Sequence, residues 1–278
     1  MADFFVRRGA GPGLALFLNA GDPPLDQLPD VLRMLDESGV DCLELAVPFP
    51  DSFTDGPVIR ASAGRALARG ADLDAVLTAV RGTRPRLRRL RIALLADWSH
   101  TVRPVGLPRF LGQVRDAGAD GVLLHGMPAV LKGRYLDAAT AAAMPVVTTC
   151  YASSLPEVQD DAAKLAGAYL YLVAHYGRSG TAAPQGFAHL NEVVRRLRPL
   201  ANAPIAIGFG VKTRADIEAV GATGADAAIV GSAAVSAVER ADAHGLDVVT
   251  ELADLVATLR APGEPQPATA AITKGTGQ

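Results

Sequence analysis

Short apolar runs alternate with longer amphipathic stretches along most of this chain. The runs occupy residues 14–18, 42–47, 92–96, 121–124, 145–149, 169–173, 205–208 and 227–230. Runs of this length, bounded by Gly, Pro, Asn or Asp, are the signature of strands buried on both faces. Between them lie stretches with helical spacing, at about 25–38, 58–69, 73–80, 105–117, 129–143, 155–165, 188–197, 214–220, 234–240 and 248–259. In the first, Leu28, Val31, Leu32 and Leu35 fall on one face and Gly39 stops the helix. Strands alternating with helices predict parallel βαβ units. Eight such units predict an α/β protein built as a single (β/α)8 barrel of the TIM type, spanning residues 1–261 with extra helices. No G-x-G-x-x-G opens a helix after the first strand, which argues against an open dinucleotide-binding sheet. Residues 262–278 are rich in Pro, Gly, Thr and Ala and predict a flexible, disordered tail.

Composition narrows the function classes. The chain has 278 residues, close to the roughly 250 of one such barrel, and 49% apolar content supplies its core. A net charge of −2 without a clustered basic face excludes nucleic acid and acidic membrane as expected partners. The single basic run, 81–91, sits between a helix and a strand and is expected to be a solvated loop. No apolar run approaches the roughly 20 residues of a membrane span. Cys42 and Cys150, in or at the end of buried strands, and the lack of a leader predict reduced thiols and a cytoplasmic location.

Candidate chemistry centres on Asp41 to Pro57, D-C-L-E-L-A-V-P-F-P-D-S-F-T-D-G-P. Glu44 interrupts an apolar strand, where burial should make it hold its proton more tightly. Asp55 follows eleven residues on, in a loop forced outward by Pro48 and Pro50. Taken alone, the two fit a hydrogen-bonded core Glu and an ordinary Asp-Gly turn somewhat better than an acid/base pair. The fold changes that balance, because active sites of such barrels lie at the C-terminal ends of the strands. Strand seven runs into Gly208-Phe209-Gly210-Val211 and strand eight into Gly231-Ser232-Ala233 before a short helix. Glycine turns and a helix N-terminus at those two strands form the usual phosphate site of the fold.

The loop after strand six, Ala174-His175-Tyr176-Gly177-Arg178-Ser179-Gly180-Thr181, has the composition of a segment that closes over a ligand. His100, His125 and His175 follow strands three, four and six. Their spacing lacks the close pairs of a metal site, so they are read as exposed or gating histidines and no metal is expected. None of the four lysines lies inside a strand, which argues against a Schiff-base aldolase. Lys212 is expected to face the phosphate or solvent.

These residues resemble the tryptophan synthase alpha subunit family. The likeness is carried by Phe17-Leu18-Asn19-Ala20-Gly21-Asp22-Pro23 and by Leu43-Glu44-Leu45-Ala46-Val47-Pro48-Phe49 with Asp55-Gly56-Pro57. Tyr169-Leu170-Tyr171 and the two glycine turns recur in the same order, and the match runs from about Leu14 to Leu259. The resemblance implies a lyase that cleaves indole-3-glycerol phosphate, or a substituted analogue, to indole and glyceraldehyde 3-phosphate without a cofactor. It implies Glu44 as acid/base and Asp55 as its partner at the indole N–H. Phe17, Leu95 and Tyr171 match indole-pocket positions, with Trp98 near that rim as a stacking group or a packing plug. Gly180, Phe209, Gly210, Gly231 and Ser232 match phosphate-binding positions, and Ser179 a loop hydroxyl that meets the Asp on closure.

The chain also departs from the family. Gly126 stands where the usual Asp precedes the proline after strand four, and Asp97 replaces an aromatic after strand three. His175 and Tyr176 replace a Ser-Arg pair, and Cys150-Tyr151-Ala152-Ser153 a proline-rich turn. Most of these positions lie on the face where the family docks its beta subunit. The expectation is therefore a divergent indole-releasing lyase, with a beta-type partner left open. The alternative is a non-catalytic or weakly active alpha-like protein that activates a beta-type subunit. Retention of both acids argues against that alternative.

Overall fold

The computed structural model describes residues 4–5, 11–174 and 186–260. The expected tail and the strand-six loop residues 175–185, including Ser179 and Gly180, lie outside the described residues. Strands β1 (Gly13–Asn19) and β2 (Cys42–Ala46) are joined by α1 (Leu28–Glu37). Helices α2 (Pro57–Ala68) and α3 (Leu73–Thr83) precede β3 (Arg91–Asp97). A π-helical turn (Trp98–Val102) and the short α4 (Arg103–Val105) lead to α5 (Leu107–Asp116) and β4 (Gly121–His125). Next come α6 (Lys132–Ala141), β5 (Val147–Tyr151), α7 (Pro156–Leu165) and β6 (Tyr169–Val173). Beyond the undescribed loop lie α8 (Asn191–Leu197), β7 (Ile205–Gly208), α9 (Arg214–Ala222) and β8 (Ala227–Val230). Helices α10 (Ser232–His244) and α11 (Val248–Leu259) close the described chain.

The eight strands pair in parallel in the order β4-β3-β2-β1-β8-β7-β6-β5. The ring closes between β4 and β5 through a bridge from Val122 to Val146, with Val122 N–H donating to Pro145 O at 3.0 Å. This is the (β/α)8 barrel that the alternation predicts. The fifth strand lies two residues later than expected, so Cys150 and Tyr151 pair with Leu172 and Val173 and belong to the ladder.

Strand alternation sorts the side chains into two cores. Small residues, Ala15, Cys42, Ala93, Ala206 and Ala227, line the lower barrel interior together with Tyr169. Phe4 and Phe5 close that end, their ring centroids 5.5 and 5.3 Å from that of Tyr169. The outer core lies between the sheet and the helices, where α1 contributes Leu28, Val31, Leu32 and Leu35 at helical spacing.

Local signals set the helix ends. Thr213 and Asp216 form a reciprocal capping box on α9, and Asp247 caps α11 through Thr250 N–H. Gly106, at φ +87, separates α4 from α5 and breaks the one helix expected there. Gly245, at φ +62, ends α10 in the left-handed conformation that glycine adopts at least cost. At the barrel base, Asp41, Asp120 and Asp226 stand just before β2, β4 and β8. They accept Leu14, Ile92 and Ile205 N–H at 2.9, 2.9 and 2.8 Å. The basic run is not simply solvated: Arg84 and Arg91 are half-buried, and each pairs with Asp120 at 3.0 Å.

Candidate active site

A cavity of about 340 Å³ opens at the C-terminal ends of the strands, and every strand or its following loop lines it. Glu44 lies at its floor. In register, Phe17 pairs with Glu44 and Glu44 with Ala93, so the carboxyl shares the inward face of the barrel. It is 2% exposed, and Tyr169 Oη donates to its Oε1 at 2.5 Å. Burial raises the Glu44 pKa to about 7, partly opposed by the Tyr169 hydrogen bond. Such a carboxyl both gives and takes protons near neutrality.

Asp55 lines the same cavity from the loop between β2 and α2, and is half-buried. The Tyr171 hydroxyl lies within the field of both acids. Burial first, then the charges of Glu44 and Asp55, push its pKa well up. Phe17, Leu95 and Tyr171 form part of an apolar wall with Ile59 and Leu124. Gly208 makes room for that wall, since a Cβ there would lie 2.3 Å from Tyr171 Oη. Trp98 is half-buried on the π-helical turn against the outer core and does not line the cavity, as a packing plug would stand.

Opposite the β3–β4 wall, the backbone takes a less common form. Phe209 and Gly210 have φ of +69 and +88, and a bulky side chain at positive φ costs roughly 1–3 kcal/mol. The Phe209 ring is placed edge-on to Tyr171, centroids 6.3 Å apart. Gly231 and Ser232 line the cavity where α10 begins, two residues earlier than the expected 234–240 helix. Gly231 has no side chain to cap the helix. The first amides before Val235, which bonds Gly231 O, therefore lie at the cavity edge, where they suit an anion. Lys212 is exposed. Ser179 and Gly180 lie outside the described residues.

The histidines correct one expectation. His125 is neither exposed nor a loose gate. Its Nδ1 lies 3.1 Å from Asp97 Oδ2 and its Nε2 lies 3.0 Å from Thr54 Oγ1, inside the cavity. His100 is exposed but is also held, its Nδ1 2.8 Å from Asp97 Oδ1. His175 lies outside the described residues. Among the described residues, no group of three or more His, Cys, Asp or Glu is placed to hold a metal ion.

Sequence reasoning also missed Tyr169, Thr54 and Asn19 as site residues. Tyr169 was within reach, because it stands two residues before Tyr171 in a strand and must face the same way. Asn19 lines the cavity and donates to Ser62 Oγ at 3.0 Å and Ile59 O at 3.2 Å, tying β1 to α2.

With this geometry in place, the chain can be set beside known proteins. Residues 7–261 match the family model described as "Tryptophan synthase alpha chain". A tryptophan synthase alpha chain of Synechocystis sp. is 35% identical over 230 residues, covering 83% of this chain and 86% of that one. One from Burkholderia thailandensis is 33% identical over 249 residues, covering 90% of each. Among solved structures, a Pyrococcus furiosus chain superposes with a TM-score of 0.79 at 25% identity, covering 90% of this chain and 98% of that one. It comes from a study of mutual activation in the tryptophan synthase α2β2 complex.

Proposed function

Since the chain belongs to the tryptophan synthase alpha chain family, we propose that it cleaves indole-3-glycerol phosphate to indole and glyceraldehyde 3-phosphate, with Glu44 moving the protons. The observation that carries this reading is Glu44 itself, an inward-facing buried carboxyl with a pKa near 7 on the cavity floor. Glu44 gives its proton to indole C3, which places positive charge on the ring nitrogen. Asp55 accepts the N–H hydrogen bond and stabilises that charge. The carbon–carbon bond breaks as Glu44 takes the hydroxyl proton of the glycerol chain, leaving the aldehyde and restoring the acid. One side chain thus serves both transfers, and such general acid/base catalysis is worth about 10²–10⁴-fold.

Phe17, Leu95 and Tyr171 hold the indole plane. The turn at Phe209-Gly210 and the start of α10 at Gly231-Ser232 anchor the phosphate together with Gly180, and Ser179 supplies the hydroxyl that meets Asp55 on closure. No residue in this scheme calls for a cofactor.

A beta-type subunit as partner is favoured by a separate observation. Phe53, Val130 and Leu155, on mouth-side loops after β2, β4 and β5, are 74%, 87% and 69% exposed. Apolar side chains that open to water around one rim are suited to burial against another chain. The test is steady-state release of indole from indole-3-glycerol phosphate, with and without a beta subunit. Turnover by the chain alone supports the lyase, and a rise on adding the subunit supports the partnership. No release in either case would overturn the catalytic reading and leave the non-catalytic alternative, against which the buried Glu44 speaks.

A further inference from the structure

The loop that carries Asp55 is tied at two points to a hydrogen-bonded cluster on the neighbouring strands. Asp97, the last residue of β3, is buried and accepts His100 N–H at 2.9 Å and His100 Nδ1 at 2.8 Å through Oδ1. Its Oδ2 takes His125 Nδ1 at 3.1 Å. A carboxylate only accepts, so both rings carry a proton on Nδ1, and His125 Nε2 points outward. The atom facing His125 Nε2 is Thr54 Oγ1, hydrogen-bonded to it at 3.0 Å. Thr54 immediately precedes Asp55.

The second tie is aromatic. Phe49, at the start of the same loop, stacks on His125 with centroids 5.2 Å apart and planes 30° apart. It also stacks on His100 at 6.1 Å and 23°. Gly126 completes the arrangement: it has φ +67, and a Cβ there would stand 3.0 Å from Asp97 Oδ2. A glycine leaves that carboxylate its place. These contacts span 28 residues from Asp97 to His125 and 71 from Thr54 to His125, so they join three separate βα loops.

We propose that Asp97, His100 and His125 are positioning residues that hold the 48–56 loop, through Phe49 and Thr54, so that Asp55 stands at the cavity before substrate arrives. A cluster that merely stabilised the fold needs no contact with the loop, whereas the outward end of this one terminates on the residue beside Asp55. A loop held in its working position spares the entropy of ordering it at the moment of reaction.

The inference rests on the lyase reading, and the experiment separates the two. Amide hydrogen exchange across 48–56 and steady-state kinetics are measured for wild type, Thr54→Val, Thr54→Ser and His125→Phe, the last keeping a ring for Phe49. Thr54→Val and His125→Phe are expected to speed exchange in the loop but not in the strands. Both should lower kcat about ten-fold with KM changed less than about two-fold. Thr54→Ser should restore both readouts, and Thr54→Val should add nothing in an Asp55→Asn background. Unchanged loop exchange in Thr54→Val overturns the proposal. So does a Thr54→Ser as impaired as Thr54→Val, or a full Thr54→Val effect without Asp55. A wild type that releases no indole defeats the lyase reading instead, and loop exchange still decides the clasp.

Discussion

At the base of the barrel Asp36 is 7% exposed and accepts the backbone N–H groups of Arg88, Arg89 and Leu90, the last two at 2.7 and 2.6 Å. On the cavity floor Glu44, no less buried at 2% exposed, is met by one phenol hydroxyl, that of Tyr169. Burial is nearly the same and the surroundings differ. Where peptide donors converge, a buried carboxylate is compensated and serves as a fastener for the loop before β3. Where donors are scarce, desolvation dominates, and the proton is held up to about pH 7. Asp41, Asp120 and Asp226 repeat the base arrangement, each accepting a strand N–H. The number of donors, more than depth, is what differs between the surroundings of Asp36 and Glu44.

The sharpest way to break this comparison is to remove the titrating proton and keep the shape. Glu44→Gln should lower kcat for indole release by about 10²–10⁴-fold with little change in KM. A variant with wild-type turnover in the same assay would show that Glu44 is not the acid.

The same substitution should act on stability in the opposite direction. In the folded chain Glu44 titrates near 7 instead of 4.5. Between those values the native state holds a proton that the unfolded chain has released, so stability is lost as pH rises through that window. The loss amounts to about 3 kcal/mol, complete above the folded value. Denaturant unfolding of wild type and Glu44→Gln at pH 5 and pH 8 isolates this term. The Gln variant should gain relative to wild type at the higher pH, and an equal difference at both would refute the desolvated acid.

The base should answer in the contrary sense. Asp36→Asn halves the acceptors offered to three amides and should cost about 1–3 kcal/mol of stability while leaving kcat at its wild-type value. Unfolding curves and the indole assay read the two effects side by side.

Much of this was legible beforehand because it is local. The apolar runs marked the strands, and the carboxylate inserted in 42–47 made Glu44 a candidate, although the acid/base reading needed the fold to outweigh that of a core Glu. The glycines after β7 and β8 were read as a phosphate site because barrel topology assigns those strands a fixed place, and they line the cavity. What escaped was non-local or depended on rotamer and register. Tyr169 meets Glu44 across 125 residues, and no pattern in either strand announces the pair. The histidines were read by spacing, which tests for a metal but not for a carboxylate arriving from another loop. Nothing local to Thr54 announces its contact with His125, 71 residues away. Strand β5 was displaced by two residues because Pro145 resembled a strand start, although its carbonyl alone joins the ladder.

The π-helical turn that follows β3 has one practical consequence. It carries Trp98, the single tryptophan of the chain, one residue beyond the aspartate that holds both imidazoles. Ultraviolet emission excited at the indole band therefore originates from one spot beside the entrance, with no background fluorophore of the same kind. Unfolding of the ligand-free protein can be followed there without attaching a label, whereas an indole ligand emits in the same band.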